Sequence, residues 1–376
     1  MKSARRGSNL AADRRAGPGA GPPQAGPTPS GGGSPYPASR GHHSPSIRDV
    51  AARAGVSVTT VSHALNGTRF VSDEARARVN EAAHALGYVP SAVARGLKHN
   101  TTRTLGMLVP NSSNPYFAEI IRGVERHCYA AGYSLVLCNS DDDPQRQADH
   151  LRVLAERRID GLVLVASGED AQIVDCCKGL RLPLVLVDRE VAGIDADMVE
   201  VDHAAGGELA TAHLLALGHA RVACIGGPAD LRPSRQREAG WRRALAAAGV
   251  KPRADELVRG DFAPQGGDAA LRRLLKSARP PTAVFVCNDL MAIGALHAAH
   301  AAGVKVPGEL SLVGFDDIEL AAYTTPPLTT IAQPKEAIGT GAAGLLLERL
   351  RAGRSEARQL ILQPQLRLRA STAAPR

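Results

Sequence analysis

Polar and aromatic side chains stand directly after short apolar runs in the part of the sequence that follows residue 101. Carboxylates and amides can exchange hydrogen bonds with a row of hydroxyl groups, an arginine can hold two vicinal oxygens, and aromatic rings can cover C–H faces. All three types occur at the ends of these runs, at Asn114, Tyr116, Phe117, Asp188, Arg189, Asn288, Asp316 and Gln333. We therefore predict a cleft that binds a small polyhydroxylated molecule.

The same residue types also have a structural use, since Asp and Asn at the end of a strand often cap the next helix. We interpret Asp289 and Asp317 in this way and leave them out of the site. An enzyme is disfavoured, because the sequence has no G-x-x-x-x-G-K phosphate loop, no H-E-x-x-H metal motif and no G-x-S-x-G nucleophile motif. We expect no catalytic centre, no metal and no cofactor.

A second group of polar residues lies in the segment AGVSVTTVSHALNG, from Ala54 to Gly67. Its β-branched residues suggest a strand, but strand alternation would mix polar and apolar side chains on both faces. A helix capped by Ser57 separates them, with the apolar Val61, Ala64 and Leu65 on one face. The residues that then point away are Val58, Thr59, Ser62, His63 and Asn66.

Two further helical patterns flank this segment. One runs from Ile47 and ends at Gly55, and the other begins near Ser72 and ends at Gly87. Two helices joined by a tight turn and braced by a third form a helix-turn-helix domain. We expect the outward side chains of the second helix to lack partners within the protein and to enter the DNA major groove, where Val58 can touch a thymine methyl group. The alternative is that they are ordinary solvent-exposed residues.

The segment SAVARGLK, Ser91 to Lys98, spans about two turns, which is too short for a helix that is stable alone. Leu97 can act as a wedge in a minor groove, with Arg95 and Lys98 close to phosphates. In this interpretation the helix forms only when two copies meet on DNA. The alternative is a linker in which Leu97 packs on the neighbouring lobe.

The positive charge is concentrated at the N-terminal end of the chain. The 376 residues carry a formal charge of +8, but residues 1–45 hold six Lys and Arg against one acid, and residues 46–103 hold eight against four. The remainder holds 31 against 32. An anionic partner, nucleic acid or acidic lipid, is therefore indicated for the first quarter only. Residues 1–45, rich in Gly, Pro, Ser and Ala, are expected to form a disordered basic tail.

Two further observations bear on the compartment. No apolar run reaches about 18 residues and the N-terminus lacks the apolar centre of a signal peptide, so we expect a cytoplasmic protein. The six cysteines lie in apolar runs or helical patterns without C-x-x-C spacing, and we interpret them as reduced thiols.

After residue 101, short apolar runs alternate with amphipathic helical stretches. The runs are TLGMLVP, YSLVLCNS, DGLVLVAS, LPLVLVDR, RVACIGG, TAVFVCND, LSLVGFDD and LTTIAQP. Such runs between helices indicate strands that are buried on both faces of parallel sheets. Because their number exceeds one comfortable sheet, we predict an α/β fold of two lobes, with ligands in the cleft at the carboxyl ends of the strands.

The segment IRDVAARAGVSVTTVSHALNGTRFVSDEARARVNEAAHALGYVPSAVARGLK closely resembles the lac repressor family, and the similarity continues to about residue 370. The resemblance implies an all-α helix-turn-helix headpiece with a hinge helix, then a two-lobed effector domain like periplasmic sugar-binding proteins. It implies a homodimer that binds palindromic operator DNA through Val58, Thr59 and His63 while paired hinge helices insert Leu97. It also adds Arg237 and Phe262 to the positions that contact the effector.

The resemblance divides the chain into four parts. Residues 1–45 form the tail, 46–89 the DNA-binding domain, 90–101 the hinge helix or linker, and 102–376 the effector-binding and dimerisation domain. The tail is foreign to the family pattern, so it is either a basic arm that adds DNA affinity or a misassigned start. The sequence ends in STAAPR without leucine heptads, and we expect a dimer and not a tetramer.

Within the family, NPYFAEIIRGVER and GFDDIELAAYTTPPLTTIAQPKEAIG most resemble the ribose operon repressors, with the purine repressors as near relatives. The purine type offers Arg and Thr to the base where this sequence has Leu231 and Pro233, and Trp where it has Arg189. We therefore expect ribose or a related monosaccharide as the effector, and release of DNA when it binds. Two alternatives stay open, a purine-type corepressor and a sugar-binding protein without a DNA role; the basic headpiece argues against the second.

Overall fold

The structure, a computed structural model, describes residues 45–89, 101–166, 170–180, 182–189, 191–354 and 356–376. The chain divides into two compact units between Val89 and Pro90. Within the described residues, no helix is both long and apolar enough to cross a membrane.

The first unit is a bundle of three helices: α1 Ile47–Ala54, α2 Val58–Asn66 and α3 Asp73–Leu86. The turn between α1 and α2 begins at Gly55, whose φ of 64° is a left-handed conformation that glycine adopts without strain. The Ser57 hydroxyl then accepts a hydrogen bond from the Thr60 amide at 3.0 Å and starts α2. Val50 and Val61 are fully buried in the core of the unit. The segment with strand-like propensity is therefore a helix, and the helix-turn-helix prediction is confirmed.

The second unit contains two sheets of six strands, and the first sheet has the order β11-β5-β4-β3-β1-β2 with every pair parallel. Its strands are β1 Thr104–Val109, β2 Ser134–Asn139, β3 Gly161–Leu164, β4 Leu184–Val187, β5 Asp197–Val201 and β11 Gln359–Leu362. The helices of this lobe are α4 Pro115–Ala130, α5 Pro144–Glu156, α6 Asp170–Cys177 and α11 Lys335–Ala352.

The second sheet has the order β12-β10-β9-β8-β6-β7, and only the β10–β12 pair is antiparallel. Its strands are β6 Val222–Gly226, β7 Leu257–Arg259, β8 Ala283–Val286, β9 Ser311–Asp316, β10 Thr329–Ala332 and β12 Gln365–Arg367. The helices are α7 His203–Ala216, α8 Arg232–Ala247, α9 Pro264–Leu275 and α10 Asp289–Ala301, with short 3-10 turns at Ala254–Glu256 and Glu319–Ala322.

The chain passes between the two lobes three times. It leaves the first lobe after β5 at Asp202, returns between β10 and α11 at Gln333 and Pro334, and crosses again between β11 and β12. The cleft between the lobes is therefore bounded by three crossover segments, which can bend while each lobe stays rigid.

All eight apolar runs singled out in the sequence are strands of these sheets. The strands that sequence reasoning missed are β5, β7, β11 and β12, which are short, charged or exposed at an edge. All six cysteines are free thiols, as expected.

Candidate functional site

A cavity of about 460 Å³ lies in the cleft of the second unit, a size within the range of small-molecule sites. Its walls contain nine of the ten side chains predicted to contact an effector: Asn114, Tyr116, Phe117, Asp188, Arg189, Arg237, Phe262, Asn288 and Asp316. The tenth, Gln333, is buried behind this wall.

The carboxyl ends of the parallel strands bring these residues together. Asp188 follows β4, Asp316 ends β9 and Phe262 follows β7. All three have left-handed φ angles, of 72°, 116° and 63° respectively. A non-glycine residue in this region costs about 1–3 kcal/mol, and such strain persists where the surroundings hold a functional side chain in place. The strained backbone thus coincides with the cavity.

Tyr116 and Gln333 join the two carboxylates at the back of the cavity. The Tyr116 hydroxyl lies 3.1 Å from Asp188 Oδ1 and 3.2 Å from Gln333 Oε1. The Gln333 amide in turn donates to Asp316 Oδ1 at 2.7 Å. Gln333 therefore orients other groups of the site and does not line the cavity itself.

Arg237 extends from α8 and lies between Asp316 and two aromatic rings. Its Nη1 donates to the Cys287 carbonyl at 2.6 Å and lies 3.7 Å from Asp316 Oδ1. The guanidinium carbon lies 4.0 Å from the centroid of the Phe315 ring and 5.8 Å from that of Phe262. These contacts hold a buried positive charge in one position.

The buried groups titrate differently because their partners differ. Burial acts to raise the pKa of Asp188, but His203, Arg237 and the Tyr116 hydroxyl outweigh it, and this pKa lies below its ordinary value. Burial raises the pKa of Asp316 to about 6, against the opposing effects of Arg237, Gln333 and Lys335. The pKa of Tyr116 is raised by burial and by the two carboxylates, so its hydroxyl remains a donor. At neutral pH this part of the cavity therefore presents the carboxylates of Asp188 and Asp316 beside the guanidinium of Arg237.

Asn114 and Asn288 use their side-chain oxygens within the protein. Asn114 Oδ1 accepts from the Tyr116 amide at 3.0 Å and caps α4, and Asn288 Oδ1 accepts from the Met291 amide at 2.9 Å and caps α10. Asn288 Nδ2 also donates to the Phe262 carbonyl at 3.0 Å. Asn288 therefore shapes the wall more than it offers hydrogen bonds to a ligand.

The expectation that Asp289 caps a helix is wrong, since Asn288 has that role. Asp289 Oδ1 instead accepts from the Thr330 hydroxyl at 2.6 Å, and Oδ2 accepts from the Ile318 amide at 3.0 Å. These bonds tie α10 to β10 and to the loop after β9. Burial raises the pKa of Asp289 well above its ordinary value.

Sequence reasoning missed several residues of the site. His203 is fully buried and contacts both Asp188 and Arg237. Asp170 forms an ion pair with Arg189, while Asp142 and Asp261 line the cavity. A lone His at the start of a helix gives no pattern to detect, but Asp261 stands beside Phe262 after β7 and could have been found from its position.

In the first unit, the predicted outward face of α2 is partly confirmed. Val58 is 42% exposed, and Thr59 and Asn66 are exposed. Ser62 and His63 are half-buried. The expectation that these side chains lack partners is wrong for three of them. His63 Nδ1 lies 2.7 Å from the Thr68 hydroxyl, and Asn66 Nδ2 donates to the Ser62 carbonyl at 2.8 Å and lies 3.5 Å from the Ser62 hydroxyl. The left-handed turn at Gly67 brings Thr68 back towards the end of α2.

Three predicted DNA contacts, Arg95, Leu97 and Lys98, lie outside the described residues. Ser57 combines its capping bond with an exposed position at the start of α2. Of the predicted DNA contacts, the structure thus describes the six at α2 and its cap: Ser57, Val58, Thr59, Ser62, His63 and Asn66.

Comparison with known proteins gives matches to both units. The family model "Bacterial regulatory proteins, lacI family" matches residues 46–91, and the model "Periplasmic binding protein-like domain" matches residues 211–372. The HTH-type transcriptional repressor PurR of Aliivibrio fischeri is 43% identical over 328 residues, which are 86% of this chain and 97% of that protein. The ribose operon repressor of Escherichia coli is 43% identical over 326 residues, which are 86% of this chain and 99% of that protein.

Solved structures agree with this similarity. A lac repressor dimer bound to operator and the anti-inducer ONPF is 28% identical with a TM-score of 0.80, over 88% of this chain and 99% of that one. A regulator of the same family from Enterococcus faecium, with bound ribose, is 32% identical with a TM-score of 0.66, over 73% of this chain and 100% of that one.

Proposed function

The chain belongs to the lacI family of bacterial regulatory proteins, and we propose that the effector of this DNA-binding repressor is D-ribose or a closely related monosaccharide bound in the cleft. The protein is a transcription repressor and not an enzyme, as the sequence predicts. The proposal concerns the identity of the effector, the residues that hold it and the direction of the switch.

The observation that carries the proposal is the pair of buried carboxylates on opposite walls of one cavity. Asp188 belongs to the first lobe and Asp316 to the second, and the cavity also contains Arg189, Phe117 and Phe262. Carboxylates accept two hydrogen bonds from vicinal hydroxyl groups, and the aromatic rings can cover C–H faces. A sugar that bridges the two walls would favour a closed cleft. The ribose operon repressor and the ribose-bound regulator support the same class of ligand.

A purine corepressor is the second candidate, because relatives named PurR are 42–43% identical to this chain. Leu231 and Pro233 line the cavity, and neither side chain can donate a hydrogen bond to a base. Arg189, at the position where the purine type has Trp, is paired with Asp170. The lining therefore suits a sugar better than a purine.

For DNA, we propose that Ser57, Val58, Thr59, Ser62, His63 and Asn66 contact the major groove. A homodimer presents two copies of α2 to a palindromic operator, and its half-site spacing follows from the twofold symmetry. We propose further that Leu97, which lies outside the described residues, enters the minor groove while Arg95 and Lys98 approach phosphates. In this scheme the protein acts in the cytoplasm.

The switch follows from linkage between the two sites. Residues 102–376 close around the sugar, and the operator affinity changes by the difference in affinity that the sugar has for the two conformations. We expect D-ribose to release the operator. Since linkage is reciprocal, operator DNA must weaken ribose binding by the same factor.

Calorimetric titration with D-ribose tests the effector, with hypoxanthine and other pentoses and hexoses in parallel. We expect D-ribose to bind, and Asp188→Ala and Arg189→Ala each to weaken its affinity by about tenfold to hundredfold, because each removes one charged hydrogen-bonding group. Asp175→Ala is the matched control, since the Asp175 side chain is 72% exposed and pairs with Lys178 on the surface. If hypoxanthine binds and no sugar gives a heat of binding, the corepressor alternative replaces the proposal.

A further inference from the structure

His203 lies where the chain first passes from one lobe to the other. Asp202 caps α7, its Oδ1 accepting from the Ala205 amide at 2.8 Å, and His203 is the first residue of that helix. The imidazole is fully buried, yet it does not line the cavity. A ligand in the cavity would therefore meet His203 only through other side chains.

Both ring nitrogens of His203 have a partner in the site. Nε2 lies 3.1 Å from Asp188 Oδ1 in the first lobe. Nδ1 lies 3.3 Å from both Nε and Nη2 of Arg237 in the second lobe. The imidazole thus connects the Asp188 carboxylate of one wall with the Arg237 guanidinium of the other.

The partners fix the protonation of the ring. Arginine is a donor only, so Nδ1 must accept from Arg237 and cannot carry a proton. Asp188 is ionised and accepts only, so Nε2 must donate to it. The neutral Nε2–H tautomer alone satisfies both neighbours, and a second proton on Nδ1 would face the Arg237 N–H groups.

The same contacts form a closed ring of polar groups. From Asp188 it continues through the Tyr116 hydroxyl to Gln333, from there to Asp316, and through Arg237 back to His203. His203 and Gln333 stand at the first and second crossovers between the lobes. The charged groups that face the imidazole are Asp188, Arg237 and, beyond Arg237, Asp316, and the Phe315 ring covers it at 6.0 Å between centroids.

We propose that His203 is the positioning residue of the effector site: its Nε2–H tautomer aims Asp188 and Arg237 at the ligand and ties both to the crossover that bends when the cleft closes. This inference rests on the proposed sugar site. It predicts that removal of the imidazole weakens sugar binding even though His203 never touches the sugar, because Asp188 loses a donor and Arg237 an acceptor.

Three substitutions separate the two contacts. In His203→Asn, the shorter amide can still accept from Arg237 but does not reach Asp188. In His203→Gln, the longer amide can donate to Asp188 but leaves Arg237 without its acceptor. His203→Phe keeps the ring shape and removes both contacts. His297→Asn, on an exposed imidazole of α10, is the matched control.

The first measurement is the affinity for D-ribose by calorimetry on the full chain at pH 7.5, with thermal unfolding recorded for each variant. We expect His203→Phe to weaken binding by about tenfold to hundredfold, since an unsatisfied buried partner costs about 1–3 kcal/mol and each 1.4 kcal/mol is tenfold. The Asn and Gln variants should fall between this value and the wild type, and His297→Asn should bind as the wild type does.

A double substitution shows whether His203 acts through its neighbour. In an Asp188→Ala background, loss of the imidazole should cost much less than it does in the wild type, since the group it aims is gone. Equal losses in both backgrounds, or a His203→Phe variant that binds D-ribose as tightly as the wild type, would overturn the inference. The inference would also be overturned if the D-ribose affinity of all three variants fell only in proportion to their lower unfolding temperatures.

The tautomer is measured without any sugar, by the nitrogen resonances of histidine in the labelled wild-type protein at pH 7.5. We expect the His203 signal, assigned by its absence in His203→Asn, to show an unprotonated Nδ1 and a protonated Nε2. A proton on Nδ1 would overturn the inference whatever binds in the cleft. If the wild type shows the expected tautomer but binds no D-ribose, the effector proposal fails while the described hydrogen bonds of His203 stand.

Discussion

The guanidinium of Arg237 and the carboxylate of Asp316 are 3.7 Å apart at their nearest atoms, in a buried pair without a short hydrogen bond. The short bond of Arg237 Nη1, at 2.6 Å, goes to the carbonyl of Cys287 instead. The nearby positive charge therefore compensates only part of the cost of burying the Asp316 carboxylate, and its pKa is raised to about 6.

This relationship predicts a weaker affinity for D-ribose in mild acid. Between pH 7.5 and pH 5, Asp316 takes up a proton and loses an acceptor for sugar hydroxyls, whereas Asp188 stays ionised because its pKa is lowered. Calorimetry should show the affinity falling by about tenfold across this interval, the size of one lost charged hydrogen bond. Asp316→Asn should bind weakly at both values. Equal wild-type affinity at pH 7.5 and pH 5 would contradict the assignment.

The stability of the free protein should respond to Asp316 in the opposite direction. The pKa of this group is higher in the folded chain, about 6, than its ordinary value of 3.8. Its contribution to the free energy of unfolding is then fully present below pH 3.8 and is lost as the pH rises through about 6. Denaturant titrations at pH 4.5 and 7.5 should show this gain on acidification in the wild type and a smaller one in Asp316→Asn.

Substitutions at two valines of α2 should distinguish an effect on DNA binding from an effect on stability. Val58 is 42% exposed at the N-terminal end of the helix, while Val61 is fully buried between α1 and α3. Val58→Ala should weaken binding to an operator selected in vitro by about tenfold, within the cost of one lost base contact, and leave the unfolding temperature unchanged. Val61→Ala should instead destabilise the first unit by about 2 kcal/mol. Operator affinity unaltered in Val58→Ala would remove this residue from the interface.

The helix-turn-helix and the alternating strands could be predicted because their signals are local. Gly55, Ser57 and Gly67 mark the ends of helices within a few residues of one another, and each central strand is an unbroken apolar run. The positions of the site residues at strand ends followed from the same pattern, since parallel strands place their carboxyl ends at one edge of a sheet.

The features that were missed depend on partners far along the chain. In β5, the charged Asp197 interrupts the apolar pattern of the sequence. It is nevertheless fully buried, because its carboxylate accepts a hydrogen bond from Arg354 at 2.6 Å. Glu200 of the same strand accepts from Gln359 at 2.9 Å. His203 likewise acquires its role only when α8 brings Arg237 beside it. None of these pairings leaves a periodic signal in the sequence.

The contact between α7 and α8 should be intolerant of a single methyl group. A Cβ atom at Gly240 would lie 2.0 Å from the carbonyl oxygen of Ala204, the residue next to His203. Gly240→Ala must therefore push apart the helices that bear His203 and Arg237, at a cost of about 1–3 kcal/mol. We expect a lower unfolding temperature together with weaker D-ribose binding.

Gly179→Ala is the control for this substitution, because a Cβ atom at Gly179 would meet no other atom within 4 Å. It should change the free energy of unfolding by less than about 0.5 kcal/mol and leave D-ribose binding intact. If Gly240→Ala and Gly179→Ala changed the free energy of unfolding and D-ribose binding equally little, α7 and α8 would be able to move apart without the expected cost.

The last prediction concerns Asp160, which holds residues 101–103 directly before β1. Asp160 Oδ2 accepts from the Thr101 hydroxyl at 2.6 Å and from the Arg103 amide at 2.8 Å, while Oδ1 accepts from the Thr102 amide at 2.8 Å. These bonds hold the segment that follows residues 90–100 against the first lobe. A movement of that lobe can then be passed along the chain only while the anchor holds.

Asp160→Asn replaces one acceptor oxygen with a donor and so breaks about half of these bonds. D-ribose affinity should stay within about twofold of the wild type, since the anchor is not part of the cavity lining. The release of operator DNA by saturating D-ribose, followed by fluorescence anisotropy, should become markedly smaller because the lobe and the linker are no longer held together. Asp175→Asn, on the exposed surface of α6, should release DNA as the wild type does. Full release by Asp160→Asn would mean that the switch reaches the DNA-binding unit by a route that does not need this anchor.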